Sequence, residues 1–265
     1  MKPSSIFTVV LLFIAVFSKA QSDDKFYQPG KTMKPFEMKI SDSIKFPVED
    51  NIITAFIAKP EQKKIKKTIF YFHGAAGNVT TYQFMTKPLV DAGYQVVMVD
   101  LRGYGLSTGK PTHKNVAEDG QKFFDELMKR EDIKNTRVYL YGASLGTQIA
   151  AHLAKDNTSK ISGLILDCPM ASFTDIAAHF APQYKDFIVQ TMISPYAAKN
   201  DVKGLDQLPV LVIHAKDDRT IPYEQGKLVF DNTTSRTKIF IESKGDHLEG
   251  LINNKEEILK AIDQL

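Results

Sequence analysis

Residues 136–155 read TRVYLYGASLGTQIAAHLAK. Thr136 to Tyr141 is rich in β-branched and aromatic residues and predicts a strand, and Leu145 to Lys155 carries helical spacing. Between them stands Gly142-Ala143-Ser144-Leu145-Gly146, a G-x-S-x-G turn from strand to helix. So sharp a reversal holds Ser144 in strained backbone geometry with its hydroxyl projecting. It also leaves no room for side chains at 142 and 146. The competing reading is a glycine-rich turn whose serine merely caps the helix. The strand before the motif and the helix after it favour a nucleophile.

A serine hydroxyl is a poor nucleophile at neutral pH. It needs a base, and the base needs an orienting carboxylate. After such a turn these follow in the order Ser, acid, His. Of the six histidines, His247 lies in Lys244-Gly245-Asp246-His247-Leu248, between the last predicted strand and the last predicted helix. From there a base can reach back over a sheet. The acid must lie between, at the C-terminal end of a strand. Asp218 follows the strand that ends at His214 and stands four residues before Pro222. Asp167, ending the preceding strand, competes with it, as does the neighbouring Asp217. An oxyanion needs preset N–H donors. Leu145 supplies one at a helix start. Ala75 supplies the other, from the loop His73-Gly74-Ala75-Ala76-Gly77-Asn78, whose small residues let the main chain approach a substrate.

Outward from the elbow, strand and helix signals alternate. Strands are predicted at Phe36–Ser43, Ile52–Ala58, Thr68–Phe72, Tyr94–Asp100, Ile161–Asp167, Pro209–His214 and Thr237–Ile241, and helices at Val79–Ala92, Val116–Arg130, Tyr223–Asp231 and His247–Gln264. The first two strands, around the turn 47–51, predict an antiparallel hairpin. The rest predict an α/β fold, a mainly parallel sheet with helices on both faces. Residues 169–208 break the alternation and predict a short helical lid, with helical pieces at Phe173–Phe180 and Tyr184–Met192. The lid aromatics Phe173, Phe180, Tyr184, Phe187 and Tyr196 either line an acyl pocket or pack the lid onto the core.

The start of the chain reads as an address. Met1-Lys2, the apolar run Ile6–Phe17, Ser18-Lys19-Ala20 and polar residues from Gln21 have the layout of a secretory signal peptide. Twelve helical residues span about 18 Å, short of the ~30 Å of bilayer hydrocarbon, so no stable membrane anchor is expected. The expectation is a single domain at 21–265, exported to the periplasm or secreted. The 265 residues carry 34 basic and 31 acidic groups, a net +3. Two of the lysines fall in the leader, so the remainder is near neutral and offers no footprint for nucleic acid. One cysteine, Cys168, excludes an internal disulfide framework and a Cys-based zinc site. No phosphate-loop or dinucleotide motif appears and no ligand spacing for a metal, so a reaction without cofactor or metal is expected.

Five segments together carry a family resemblance: HGAAGN at 73–78, DLRGYGLSTG at 100–109, GASLG at 142–146, DRTIP at 218–222 and GDH at 245–247. In this order they resemble the α/β-hydrolase superfamily, and within it serine hydrolases with an HGxxGN oxyanion loop, described as peptidase-like or esterase-like. The likeness runs from about Phe36 to the C-terminus. It implies Ser144, Asp218 and His247 as a triad, Ala75 and Leu145 as oxyanion donors, and Arg102 to Ser107 as structural support. Ala75-Ala76 departs from the polar residue of many relatives, which removes a side-chain contact but no backbone donor. The expected activity is cleavage of a small carboxylic ester through an acyl-enzyme. A serine peptidase of aminopeptidase type and an acyl-thioesterase use the same residues. A non-catalytic binding module is disfavoured, because no triad member is missing.

Overall fold

The computed structural model describes residues 23–61 and 64–265. The expected signal peptide at 1–20 and its cleavage site lie outside them. The strands are β1 (Gln28–Pro29), β2 (Ile40–Val48), β3 (Asn51–Ala58), β4 (Lys67–Phe72), β5 (Ala76–Gly77), β6 (Gln95–Asp100), β7 (Arg137–Ala143), β8 (Gly163–Asp167), β9 (Val210–Ala215) and β10 (Lys238–Ser243). The longer helices are α1 (Gln83–Asp91), α2 (His113–Leu127), α3 (Gly146–Asp156), α4 (Phe173–Phe180), α5 (Lys185–Thr191), α6 (Tyr223–Asn232) and α7 (Lys255–Gln264).

Eight strands form one sheet in the order β10-β9-β8-β7-β4-β6-β3-β2. β4 and β6 to β10 pair in parallel, and β3 runs antiparallel to both β2 and β6. Successive side chains of a strand point to opposite faces, and both faces are covered. Phe70 and Phe72 of β4 pack with Val116, Phe123 and Phe124 of α2 and Ile149 of α3. Ile69 and Tyr71 of the same strand pack with Met85 and Leu89 of α1 and Ile258 of α7. This is the mainly parallel, two-faced α/β-hydrolase fold.

The hairpin is present, but its first strand is displaced from 36–43 to 40–48. Phe36 lies outside it and packs its ring on Phe56 at 4.9 Å. The turn is Glu49-Asp50, with Glu49 at φ +54°. Pro47 sits within β2, where an edge strand tolerates a missing N–H. The helix expected from Val116 starts at His113, because Thr112 and Asn115 cap it reciprocally: Thr112 Oγ1 accepts from Asn115 N at 3.2 Å and Asn115 Oδ1 from Thr112 N at 2.7 Å. The helix expected from His247 is also corrected. A single turn spans Gly250–Asn253 and α7 follows, which leaves His247 in a loop.

Parallel strands bring their following loops to one sheet edge. The loops after β4, β7, β8, β9 and β10 all open there. The lid rises from the loop after β8. Its aromatics divide: Phe173 and Tyr196 are buried, while Phe180, Tyr184 and Phe187 are each more than 60% exposed. The segment before the sheet also reaches this edge, where β1 pairs in parallel with β5.

Candidate active site

The elbow has the geometry its glycines demand. Ser144 lies between β7 and α3 at φ +52°, a region costly for any residue but glycine. A Cβ on Gly142 would fall 2.5 Å from the Gly146 carbonyl oxygen and 2.6 Å from Thr147 Cα. One on Gly146 would strike the Phe72 carbonyl oxygen. The turn is pinned by Ser144 N donating to Asp167 O at 2.8 Å and Thr147 N to Ser144 O at 2.9 Å. Ser144 Oγ makes no hydrogen bond among the described residues.

Two uncommitted donors flank it. Leu145 N and Ala75 N make no hydrogen bond among the described residues. The 73–78 loop runs close to the elbow, since a Cβ on Gly74 would lie 3.3 Å from Ser144 Cβ. His73 anchors the start of that loop from beneath: its Nδ1 donates to Gly74 O at 2.8 Å and its Nε2 accepts from Leu101 N at 3.2 Å. Burial lowers the His73 pKa to about 4, so the ring stays neutral and accepts that bond across the working range.

Asp218 and His247 meet. His247 Nδ1 donates to Asp218 Oδ2 at 2.7 Å. The other carboxylate oxygen accepts from Thr220 N and Ile221 N, each at 2.8 Å. Burial pushes the Asp218 carboxyl up, but the bond from His247 and these N–H groups outweigh it and hold the group below its ordinary value. Asp218 is therefore a carboxylate able to stabilise an imidazolium. The two competing acids fall elsewhere. Asp217 is exposed. Asp167 is fully buried and accepts from Tyr141 Oη at 2.6 Å rather than from His247. Burial raises its pKa to about 6, against the bond from Tyr141.

The chain at 100–109 braces the rear. Asp100 accepts from Val79 N at 2.9 Å and Leu106 N at 3.2 Å. Arg102 makes a two-pronged bond to Asp119 at 2.8 and 2.7 Å. Gly105 packs directly on the Asp100 carboxylate with no space for a side chain.

The sequence reads Cys168 as a buried, inert thiol in preference to a second nucleophile, and gives no sign of its nearness to the Asp218–His247 pair. Cys168, buried and at φ +48°, accepts from Leu248 N at 3.4 Å. Its Sγ, Asp218 and His247 have ligand-type atoms within 4.8 Å of one another. Linear spacing carried no sign of this group, because sheet register brings it together: Cys168 N donates to Ile213 O at 2.8 Å. Since His247 Nδ1 is already bonded to Asp218, the thiol is an added neighbour of that pair. Burial pushes the thiol pKa well up, so it remains protonated.

Comparison with known proteins gives the family and the fold. The model of the hydrolase family described as serine aminopeptidase S33 matches residues 63–206, just over half of the chain, a stretch that contains Ser144 and ends before Asp218. YfhR of Escherichia coli K12 is 25% identical over 194 residues, covering 73% of this chain and 67% of its own. Protein bem46 of Schizosaccharomyces pombe is 27% identical over 212 residues, covering 79% and 71%. Among solved structures, the esterase Pf2001 of Pyrococcus furiosus superposes with a TM-score of 0.72 at 16% identity, over 90% of this chain and 96% of that one, a likeness of fold. No helix of the described residues is long and apolar enough to cross a membrane.

Proposed function

The chain belongs to the serine aminopeptidase S33 family of α/β-hydrolases, and from that premise we propose that it is an exported serine hydrolase cleaving a small carboxylic ester through an acyl-enzyme. Ser144 Oγ attacks the carbonyl carbon while His247 Nε2 takes its proton. Asp218 holds the imidazole tautomer and stabilises the imidazolium. The N–H groups of Ala75 and Leu145 receive the oxyanion, fixed before charge develops. His247 then protonates the leaving group, and water repeats the sequence on the acyl-enzyme. The observation that carries the reading is the 2.7 Å bond from His247 Nδ1 to Asp218 Oδ2, at the sheet edge where the Ser144 elbow opens.

An ester is favoured over a peptide because the longest helices of the lid are short, eight and seven residues, and among the described residues no separate domain stands over the site to grip a polypeptide. The aminopeptidase description of the family is the one observation that favours the second reading. A fluorophosphonate label on wild type and Ser144→Ala tests the nucleophile, and undiminished labelling of the folded variant refutes it. A panel of p-nitrophenyl esters of rising chain length beside aminoacyl-nitroanilides separates the two substrates. Faster turnover of the anilides would overturn the ester reading. Export follows from the sequence of the leader. Protein from its native host should begin at Gln21, and an intact Met1 on membrane-bound protein would refute cleavage.

A further inference from the structure

Ala75 is an asymmetric residue. Its N–H makes no bond among the described residues, while its carbonyl accepts two: from Tyr104 Oη at 2.6 Å and from Gln28 N at 2.9 Å. The same Gln28 N–H also reaches Tyr104 Oη at 3.0 Å, closing a three-membered network around one oxygen. Tyr104 is fully buried, with its ring 4.8 Å from that of His73. His73 holds the loop's start at Gly74 O and Asn78 caps its end, which leaves Ala75 between them. Ala75 and Ala76 carry only methyl groups and so make no side-chain hydrogen bond, and Gly77 at φ +80° adds freedom.

Beyond the local bonds of His73 and Asn78, the strap supplies further fastenings. Gly30 N donates to Gly77 O at 2.7 Å. Asn78 Nδ2 donates to Gly30 O at 3.1 Å and Thr32 O at 2.9 Å. Gly105 N donates to Gly30 O at 3.0 Å. The approach is so close that a Cβ on Gly30 would lie 3.0 Å from Gly77 Cα. The strap itself is tied down by Tyr27 Oη on His113 Nδ1 at 2.9 Å and by His113 N on Asp23 Oδ2 at 3.0 Å.

We propose that Tyr104 is a positioning residue for the oxyanion hole, its hydroxyl and the Gln28 N–H together fixing the Ala75 carbonyl so that the N–H of the same residue stays aimed at the reacting oxygen. The hole is then built from four chain segments, and the first of them is the Tyr27–Gly30 strap. The bonds to the Ala75 carbonyl hold the peptide after Ala75, and His73 Nδ1 on Gly74 O at 2.8 Å holds the peptide that carries the Ala75 N–H; with both planes fastened, the N–H cannot swing without stretching one of these bonds. The inference rests on the reading of Ala75 as an oxyanion donor.

Tyr104→Phe removes the hydroxyl and keeps the buried ring. Oxyanion donors act on the transition state, and a misplacement near 1 Å costs up to ~10² in rate. The variant should lose about 10- to 100-fold in kcat and in the rate of fluorophosphonate labelling, with KM within about twofold. The pH profile should keep its shape, because the Asp218–His247 pair is untouched. Gln28→Pro, which deletes the second donor, should act in the same direction, and the double variant should fall short of the product of the two. Tyr94→Phe is the control. It deletes an equally short bond, to Asp263 at 2.6 Å, at the other end of the sheet. It should change stability and leave kcat alone. If wild type is labelled and Tyr104→Phe is labelled at the same rate, the positioning role is overturned and the serine hydrolase stands. If wild type is not labelled at all, the hydrolase reading itself falls.

Discussion

Arg219 and Asp246 bind one another across the gap between two loops: Arg219 Nε donates to Asp246 Oδ2 at 2.7 Å, and Arg219 N to Asp246 Oδ1 at 3.0 Å. Each residue is the chain neighbour of a proposed catalytic one, Arg219 of Asp218 and Asp246 of His247. The pair latches the acid loop to the base loop outside the site.

The latch is exposed on the arginine side, so its Coulomb contribution to stability is small and salt-screened. Its effect should be on geometry. Arg219→Ala is expected to lower kcat by about 2- to 10-fold and leave the thermal midpoint almost unmoved. Kinetics beside a thermal melt decide it; a large melt shift with unchanged kcat would assign the pair to stability instead.

The Asp218 carboxylate should matter to the chemical step and its neighbour should not. Replacing a triad acid by its amide costs up to ~10⁴ in kcat. Asp218→Asn should lose at least ~10² with KM nearly constant, whereas exposed Asp217→Asn should lose less than about tenfold. Steady-state kinetics on both folded variants makes the comparison, and equal losses would remove Asp218 from the triad.

Ser144 at φ +52° stores strain that glycine would relieve. Both Ser144→Ala and Ser144→Gly should be inactive, but Ser144→Gly should be the more stable by about 1 kcal/mol, less whatever its unfolded-state freedom gives back. Chemical denaturation of the two variants tests this. An alanine variant more stable than the glycine one would mean that the elbow is relaxed.

Asp167 makes stability depend on pH. Burial raises its pKa to about 6 from an ordinary 3.8, so the fold favours the protonated form. The stability this group contributes is therefore complete below about pH 4 and is lost as pH rises through 6. Asn cannot ionise. From pH 4 to pH 7 the stability difference between Asp167→Asn and wild type should move in the variant's favour by about 1–3 kcal/mol, and the variant should stay active. Denaturation curves at the two pH values give the answer, and a constant difference would contradict a buried, titrating carboxyl.

The elbow could be read in advance because its constraints are local. Two glycines, a serine and the flanking periodicities lie within twenty residues, and the two core faces follow from alternation within strands such as β4. The hairpin was misplaced because an apolar residue such as Phe36 looks the same whether it joins a strand or packs on one from outside; cross-strand pairing decides. His247 was expected to open a helix, but Gly245 at φ +91° and Leu248 at φ +63° keep the chain irregular until Gly250. The strap at 23–30 carries no periodicity: its backbone pairs with the 76–77 strand, and its side chains Asp23, Phe26 and Tyr27 find partners more than eighty residues away, which no short window contains. Cys168 was hidden for a further reason: its nearness to His247 depends on how β8 and β9 align, which no short window contains.

The lid bears on how the protein can change over generations. No residue from 181 to 195 is buried, and α5 contributes nothing to either face of the sheet. Phe180, Tyr184, Phe187, Val189 and Ile193 are all more than half exposed. Substitutions at these five exposed positions escape most of the packing penalties that police the core. Selection on them is thus largely uncoupled from selection for folding, and these residues are free to drift toward new substrates while the elbow beneath them, crowded on every side, stands still.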